Sequence, residues 1–114
     1  MTDEALRDVQ GFIASGYGHL PSAAYLFVRV NDAAAARRWV GTLAGSVTSA
    51  VRWPVGADGH RIKPTSAVNV AFTAPGLSAC GLPPAAHCTF PPEFREGVAV
   101  PHRSRILGDT EESA

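Results

Sequence analysis

The sequence lacks a net charge, a long apolar run and a basic N-terminus. Ten Lys and Arg residues balance ten Asp and Glu residues among 114, and this balance argues against a partner bound through counterion release, such as nucleic acid. The longest apolar run, at residues 23–28, ends at Arg29 and is far too short to cross a bilayer. Residues 1–8 have no cationic start followed by apolar residues, so we expect no secretory signal, a cytoplasmic location and no membrane partner.

Cysteine is scarce, and the histidines are scattered. Two cysteines do not make a disulfide framework, and no histidine pairs with a cysteine at a familiar zinc spacing. The sequence therefore predicts no metal site, and it offers no acid, base and nucleophile set from which catalytic residues can be named. The residues considered and set aside are Cys80, Cys88, His19, His60, His87 and His102.

What is present is the composition of one globular domain. Apolar residues make up 46% of the chain and charged residues 18%, which is ordinary for a folded protein. A chain of this length can bury roughly two-thirds of its unfolded surface. Residues 1–22, rich in glycine, are predicted to form an N-terminal arm, and residues 23–114 a partial domain.

Two apolar runs predict strands. Residues 23–30 are apolar at nearly every position, which predicts a strand covered on both faces. Residues 67–73 alternate, with Val68, Val70 and Phe72 on one side. A further strand is expected near the end of residues 47–53, and residues 54–64 read as a hairpin connection because they contain Asp58-Gly59.

Helices are expected between and after these strands. The pair Asn31-Asp32 offers an N-cap for a helix whose apolar stripe includes Trp39, Leu43 and Val47, so Trp39 is predicted to lie in the core. Thr73 offers a cap for a helix near residues 75–80. A last short helix is expected over residues 90–98, ended by Pro101.

The resulting element order predicts an α+β fold. It matches most of a ferredoxin-like βαββαβ unit, a βαββα(β) half-unit whose last strand is missing. Without that strand, residues 23–30 would expose an unpaired edge, which favours self-association. Either an unusual arrangement covers the edge, or the chain is the front part of something larger.

Several short runs, in order, carry a family resemblance. They are Asp-Val-Gln-Gly at 8–11, Gly-Tyr-Gly at 16–18, Ala-Tyr-Leu-Phe at 24–27, Val-Thr-Ser-Ala at 47–50 with Trp53, Asn-Val-Ala-Phe-Thr at 69–73 with Gly76 and Leu77, Gly-Leu-Pro at 81–83, residues 90–97 and Leu-Gly-Asp at 107–109. Over nearly the whole chain they resemble the N-terminal region of the dye-decolorising (DyP-type) haem peroxidases.

The resemblance implies a haem b enzyme, an oxidoreductase that uses hydrogen peroxide to oxidise dyes and phenolics. The nearest match to the family's distal Gly-x-x-Asp-Gly motif is residues 55–59, where Val55 replaces the first glycine, so Asp58 is interpreted as a turn residue. His102 stands too early to be the haem ligand. No catalytic or haem-binding residue can therefore be assigned by the resemblance, and haem is not expected to bind this chain alone.

Two functions remain open from the sequence. The first is a truncated N-terminal fragment of a DyP-type peroxidase, inactive alone, whose partner is a missing C-terminal half. The alternative is a non-catalytic ferredoxin-like module that dimerises sheet to sheet.

Overall fold

A computed structural model describes residues 2–14 and 16–108. Within these ranges the regular elements are helices, and α3 is the longest, at 12 residues. No described helix has both the length and the apolar character that crossing a membrane requires. In chain order the helices are α1 Asp3–Arg7, α2 Gly11–Ala14, α3 Ala33–Ala44, α4 Ala74–Ala79, α5 Pro84–His87, α6 Pro92–Glu96 and α7 Pro101–Leu107.

Local capping sets several helix starts. The Asp32 carboxylate accepts a hydrogen bond from the Ala35 N–H at 3.0 Å, and the Thr73 hydroxyl accepts one from the Gly76 N–H at 3.1 Å. Each satisfies a backbone donor that the first helical turn leaves free. The helices predicted to begin after Asp32 and Thr73 are confirmed.

The predicted α+β fold is wrong. The described residues contain no strand, only the isolated antiparallel bridges Gln10↔Ser49 and Val55↔Arg61. A strand exists only where its backbone groups are paired with a neighbour, and residues 23–30 have no such neighbour within the described chain. Neither the ferredoxin-like half-unit nor the sheet-to-sheet module is therefore supported.

The chain divides into two units. The first comprises Met1–Phe27 and Trp39–Val70, and the second Val28–Arg38 and Ala71–Ala114. In the first unit residues 54–62 form a loop, as predicted, but it connects no strands among the described residues. The Gly56 N–H donates to the His60 carbonyl and the Ile62 N–H to the Pro54 carbonyl, both at 2.8 Å.

The second unit is organised around α4. The Arg37 guanidinium donates to the Cys80 carbonyl at 2.8 Å, where α4 ends. Gly81 follows with a φ of 103°, and a Cβ there would lie 2.8 Å from the Arg37 guanidinium. The positive φ favours glycine at this position, whereas the close approach involves the end of a flexible side chain that can shift.

Few apolar side chains are buried. Among the described residues the buried apolar ones are Leu6, Ala50 and Ala74. Trp39 is 47% exposed, so the prediction that it lies in the core is wrong. Leu43 and Val47 on the same stripe are half-buried. The stripe has the expected helical spacing, but no sheet covers it among the described residues.

Candidate functional site

The first unit contains a network centred on the Gln10 side chain, which we call the Gln10 clasp. Its Nε2 donates to the Val70 carbonyl at 2.8 Å, and its Oε1 accepts from the Val70 N–H at 2.8 Å. The Asn69 Nδ2 donates to the same Oε1 at 3.1 Å. These partners fix the orientation of the Gln10 amide, because the opposite orientation would place donor against donor.

The backbone beside Gln10 pairs with a second segment. The Gly11 N–H donates to the Thr48 carbonyl at 2.8 Å, and the Ala50 N–H donates to the Val9 carbonyl at 2.7 Å. This is the two-bond pattern of a short antiparallel bridge. It holds residues 9–11 against residues 48–50.

Thr48 connects that pair to the third segment. Its N–H donates to the Val68 carbonyl at 2.9 Å, and its hydroxyl accepts from the Val68 N–H at 2.9 Å. Residues 9–11, 48–50 and 68–70 are thus linked by backbone and side-chain hydrogen bonds. Side chains from Gln10 and Thr48 replace the backbone partners that a strand would use.

Gly11 is fixed by close packing. A Cβ at this position would meet the Tyr17 Oη, and it would lie 2.8 Å from the Ser49 carbonyl oxygen. Both contacts are closer than real Cβ atoms approach. The glycine therefore follows from the bridge that it makes with residues 48–50.

The first unit also contains a row of aromatic rings in contact with one another. Tyr17 lies between Phe12, at a centroid distance of 6.0 Å, and His19, at 6.4 Å. His19 meets Trp53 edge-on at 5.2 Å and donates from Nε2 to the Pro64 carbonyl at 2.7 Å. These contacts give His19 a packing role. The Tyr17 Oη is buried without a hydrogen-bond partner among the described residues.

A cavity of about 200 Å³ adjoins the clasp. It is smaller than the roughly 300–1,000 Å³ typical of small-molecule pockets. No described histidine, cysteine or tyrosine lines it, so it offers no axial ligand for iron. Its lining residues are Arg7, Asp8, Val9, Gln10, Ala44, Val47 and Ser49.

The structure places the remaining candidate residues apart. His60 is exposed in the hairpin turn, where its N–H donates to the Asp58 carboxylate at 3.0 Å, so Asp58 closes a turn. His87 lies in α5. Cys80 and Cys88 are free thiols, the first half-buried and the second exposed. In the part of the chain that is described, no group of three or more His, Cys, Asp or Glu residues is placed to hold a metal ion.

In the second unit, Glu96 has two partners on α7. Its Oε2 accepts from the Arg103 Nε and from the His102 Nε2, each at 2.9 Å. The hydrogen bond from Arg103 is the main reason that the pKa of Glu96 lies below its ordinary value, with a smaller contribution from His102. The group links the ends of two short helices on an exposed surface.

Haem does not fit the described residues. His19 uses its Nε2 on a carbonyl, His60 stands in an exposed turn, and His102 faces Glu96. None of them lines the cavity beside the Gln10 clasp. No step of a haem reaction can therefore be derived from the described residues.

No family model, curated protein or solved structure matches the chain. The functional interpretation therefore depends on the residues themselves. The sequence alone assigns no role to Gln10, Thr48 or Asn69. The available signal is that each stands inside a run that carries the family resemblance.

Proposed function

We propose that this chain is the N-terminal part of a DyP-type haem peroxidase and that it serves as scaffold in that protein. Its residues position the polypeptide and perform no chemistry on the substrate. In the whole peroxidase, haem b would supply the peroxide-driven oxidation of dyes and phenolics.

The observation that carries the proposal is the Gln10 clasp. Three of the runs that resemble the family, at residues 8–11, 47–50 and 69–73, lie up to about sixty positions apart in the chain. In the structure the run at residues 8–11 contacts the other two, because its backbone pairs with Thr48 and Ala50 and its Gln10 side chain bonds Asn69 and Val70. The runs that carry the resemblance thus include residues that contact one another in this chain, and this is the support that we offer for the proposal.

The chemistry of a haem peroxidase explains why the proposed role is scaffold. Such an enzyme needs an axial ligand to iron, an acid–base group at the peroxide and a cation that stabilises developing charge. The described histidines, Asp58 and the arginines do not converge on one cavity. In the proposal these groups belong to another part of the peroxidase, which this chain supports.

The DNA that follows the codon for Ala114 tests the proposal. We expect the downstream sequence, read in frame, to encode a Gly-x-x-Asp-Gly motif and, farther along, a histidine suited to bind haem. Downstream sequence that encodes neither in any frame would contradict descent from the family. This test is independent of how the chain folds or associates.

A further inference from the structure

Residues 25–28 form an exposed apolar run. Tyr25, Leu26 and Phe27 are 85%, 83% and 94% exposed, and Val28 is 57% exposed. Four consecutive large apolar side chains in water are unusual on a folded protein and mark an interaction site. We call residues 23–31 the apolar segment.

The backbone of the apolar segment is also unpartnered. Within the described chain, no N–H or carbonyl of residues 21–31 takes part in a hydrogen bond. Residues 21–30 contain no helix, turn, bend or bridge, and no non-glycine residue among those described has a positive φ. The segment therefore offers both a strand-forming sequence and free backbone edges, the combination used in β-strand addition.

We propose that the apolar segment pairs antiparallel with the same segment of a second copy of this chain, with Phe27 opposite Phe27. In this register Tyr25 stands opposite Arg29, and Leu26 opposite Val28. The second copy is thus a partner whose side chains match at every position. This inference does not depend on the proposed peroxidase ancestry.

The pairing chemistry selects this register. Phe27 against Phe27 is an aromatic pair, and Arg29 against Tyr25 places a guanidinium over a ring. One face of the two-stranded ribbon then carries only Ala24, Leu26, Val28 and Val30. Both arginines lie on the other face, where their charged ends remain in water.

Other pairings of two copies are less favourable. A shift by one residue puts Arg29 opposite Ala24 and gives each face one arginine, so neither face is wholly apolar. A parallel, in-register pairing places Arg29 beside Arg29, and directly opposed like charges are destabilising. Symmetric antiparallel pairs avoid both, and only the one centred on Phe27 combines a Phe27–Phe27 pair with Arg29 opposite Tyr25, since pairs centred on Leu26 or Val28 place Arg29 opposite Ala23 or Phe27.

Disulfide trapping tests the register in a chain whose native thiols are replaced, Cys80→Ala and Cys88→Ser. Opposite residues of an antiparallel pair have Cα atoms about 4.5–5.5 Å apart, within disulfide range, whereas diagonal neighbours are about 7–8 Å apart. Phe27→Cys should therefore form a cross-linked dimer rapidly on oxidation. Leu26→Cys, the matched control, should cross-link at least tenfold more slowly.

Sedimentation of the unmodified chain gives the second measurement. A concentration-dependent dimer is expected at tens of micromolar, and Phe27→Lys should raise its dissociation constant more than tenfold. Ile106→Lys, which adds the same charge at another exposed apolar residue, should leave the constant unchanged. A monomer at these concentrations, equal weakening by both lysine variants, or equal cross-linking of the two cysteine variants would overturn the proposal.

Discussion

At the scale of single residues, the Gln10 side chain makes the two hydrogen bonds to Val70 that the backbone of a neighbouring strand would make. A primary amide offers an acceptor oxygen and an NH2 donor side by side, so it can satisfy the N–H and the carbonyl of one residue together. Gln10 presents both to Val70, whose N–H and carbonyl it satisfies together. One side chain can thereby hold residues 68–70 in place where the described chain provides no neighbouring strand.

The clasp predicts a specific effect of Gln10→Glu. At neutral pH the carboxylate retains the acceptor for the Val70 N–H but places a negative oxygen against the Val70 carbonyl. Leaving that carbonyl without a donor should cost about 1–3 kcal/mol. Amide hydrogen exchange at Val70 and Ala50, measured by NMR, should accelerate accordingly.

Acid provides the control for this variant. At about pH 3, below the ordinary glutamate pKa of about 4.3, the introduced carboxyl is protonated and can donate again. The difference from wild type should then shrink. Asn69→Ala, which removes only the 3.1 Å hydrogen bond, should have a smaller effect at both pH values. Unchanged Val70 exchange in Gln10→Glu would contradict the clasp.

At the scale of elements, the short helices α6 and α7 are stabilised by contacts between their ends. α6 and α7 have five and seven residues, fewer than an isolated helix needs in water. Proline occupies the first turn of each, and Glu96 links them through Arg103 and His102. Their stability therefore depends on contacts between helix ends.

The Glu96 cluster predicts a pH dependence. Since the folded pKa of Glu96 is lowered, its contribution is present above the unfolded pKa and is lost as the pH falls through the folded pKa. Arg103→Met should raise the pKa of Glu96 toward its ordinary value, measured from the Glu96 Cδ shift in an NMR titration. Arg105→Met, on the same helix, should leave it unchanged; equal shifts in both variants would contradict the assigned cause.

Local signals predict the helices better than the strands. The caps at Asp32 and Thr73 act within three residues, so the sequence suffices to place those helix starts. The prediction that Pro101 ends a helix is wrong, because it occupies the first turn of α7, where its missing N–H costs nothing. Residues 23–30 have strand composition, but pairing needs a partner, which composition cannot supply.

The site is only partly predictable for the same reason. The interpretation of Asp58 as a turn residue is confirmed, because Asp-Gly acts on its own backbone. The role of Gln10 depends on Val70, 60 residues away, and a lone glutamine in a short run gives no sign of such a contact.

At the scale of the whole molecule, the chain leaves much of its surface in water. Among the described residues the buried apolar ones are Leu6, Ala50 and Ala74, whereas Tyr25, Leu26 and Phe27 are more than 80% exposed. These exposed side chains are available to a partner.

Hemin titration of the purified 114-residue chain tests the scaffold role most directly. We expect absorption changes without a one-to-one end point, and bleaching of a dye by hydrogen peroxide no faster than with hemin alone, because no described histidine lines the cavity beside the Gln10 clasp. A one-to-one complex that bleaches dye well above free hemin, and loses that activity in Asp58→Asn, would contradict the account.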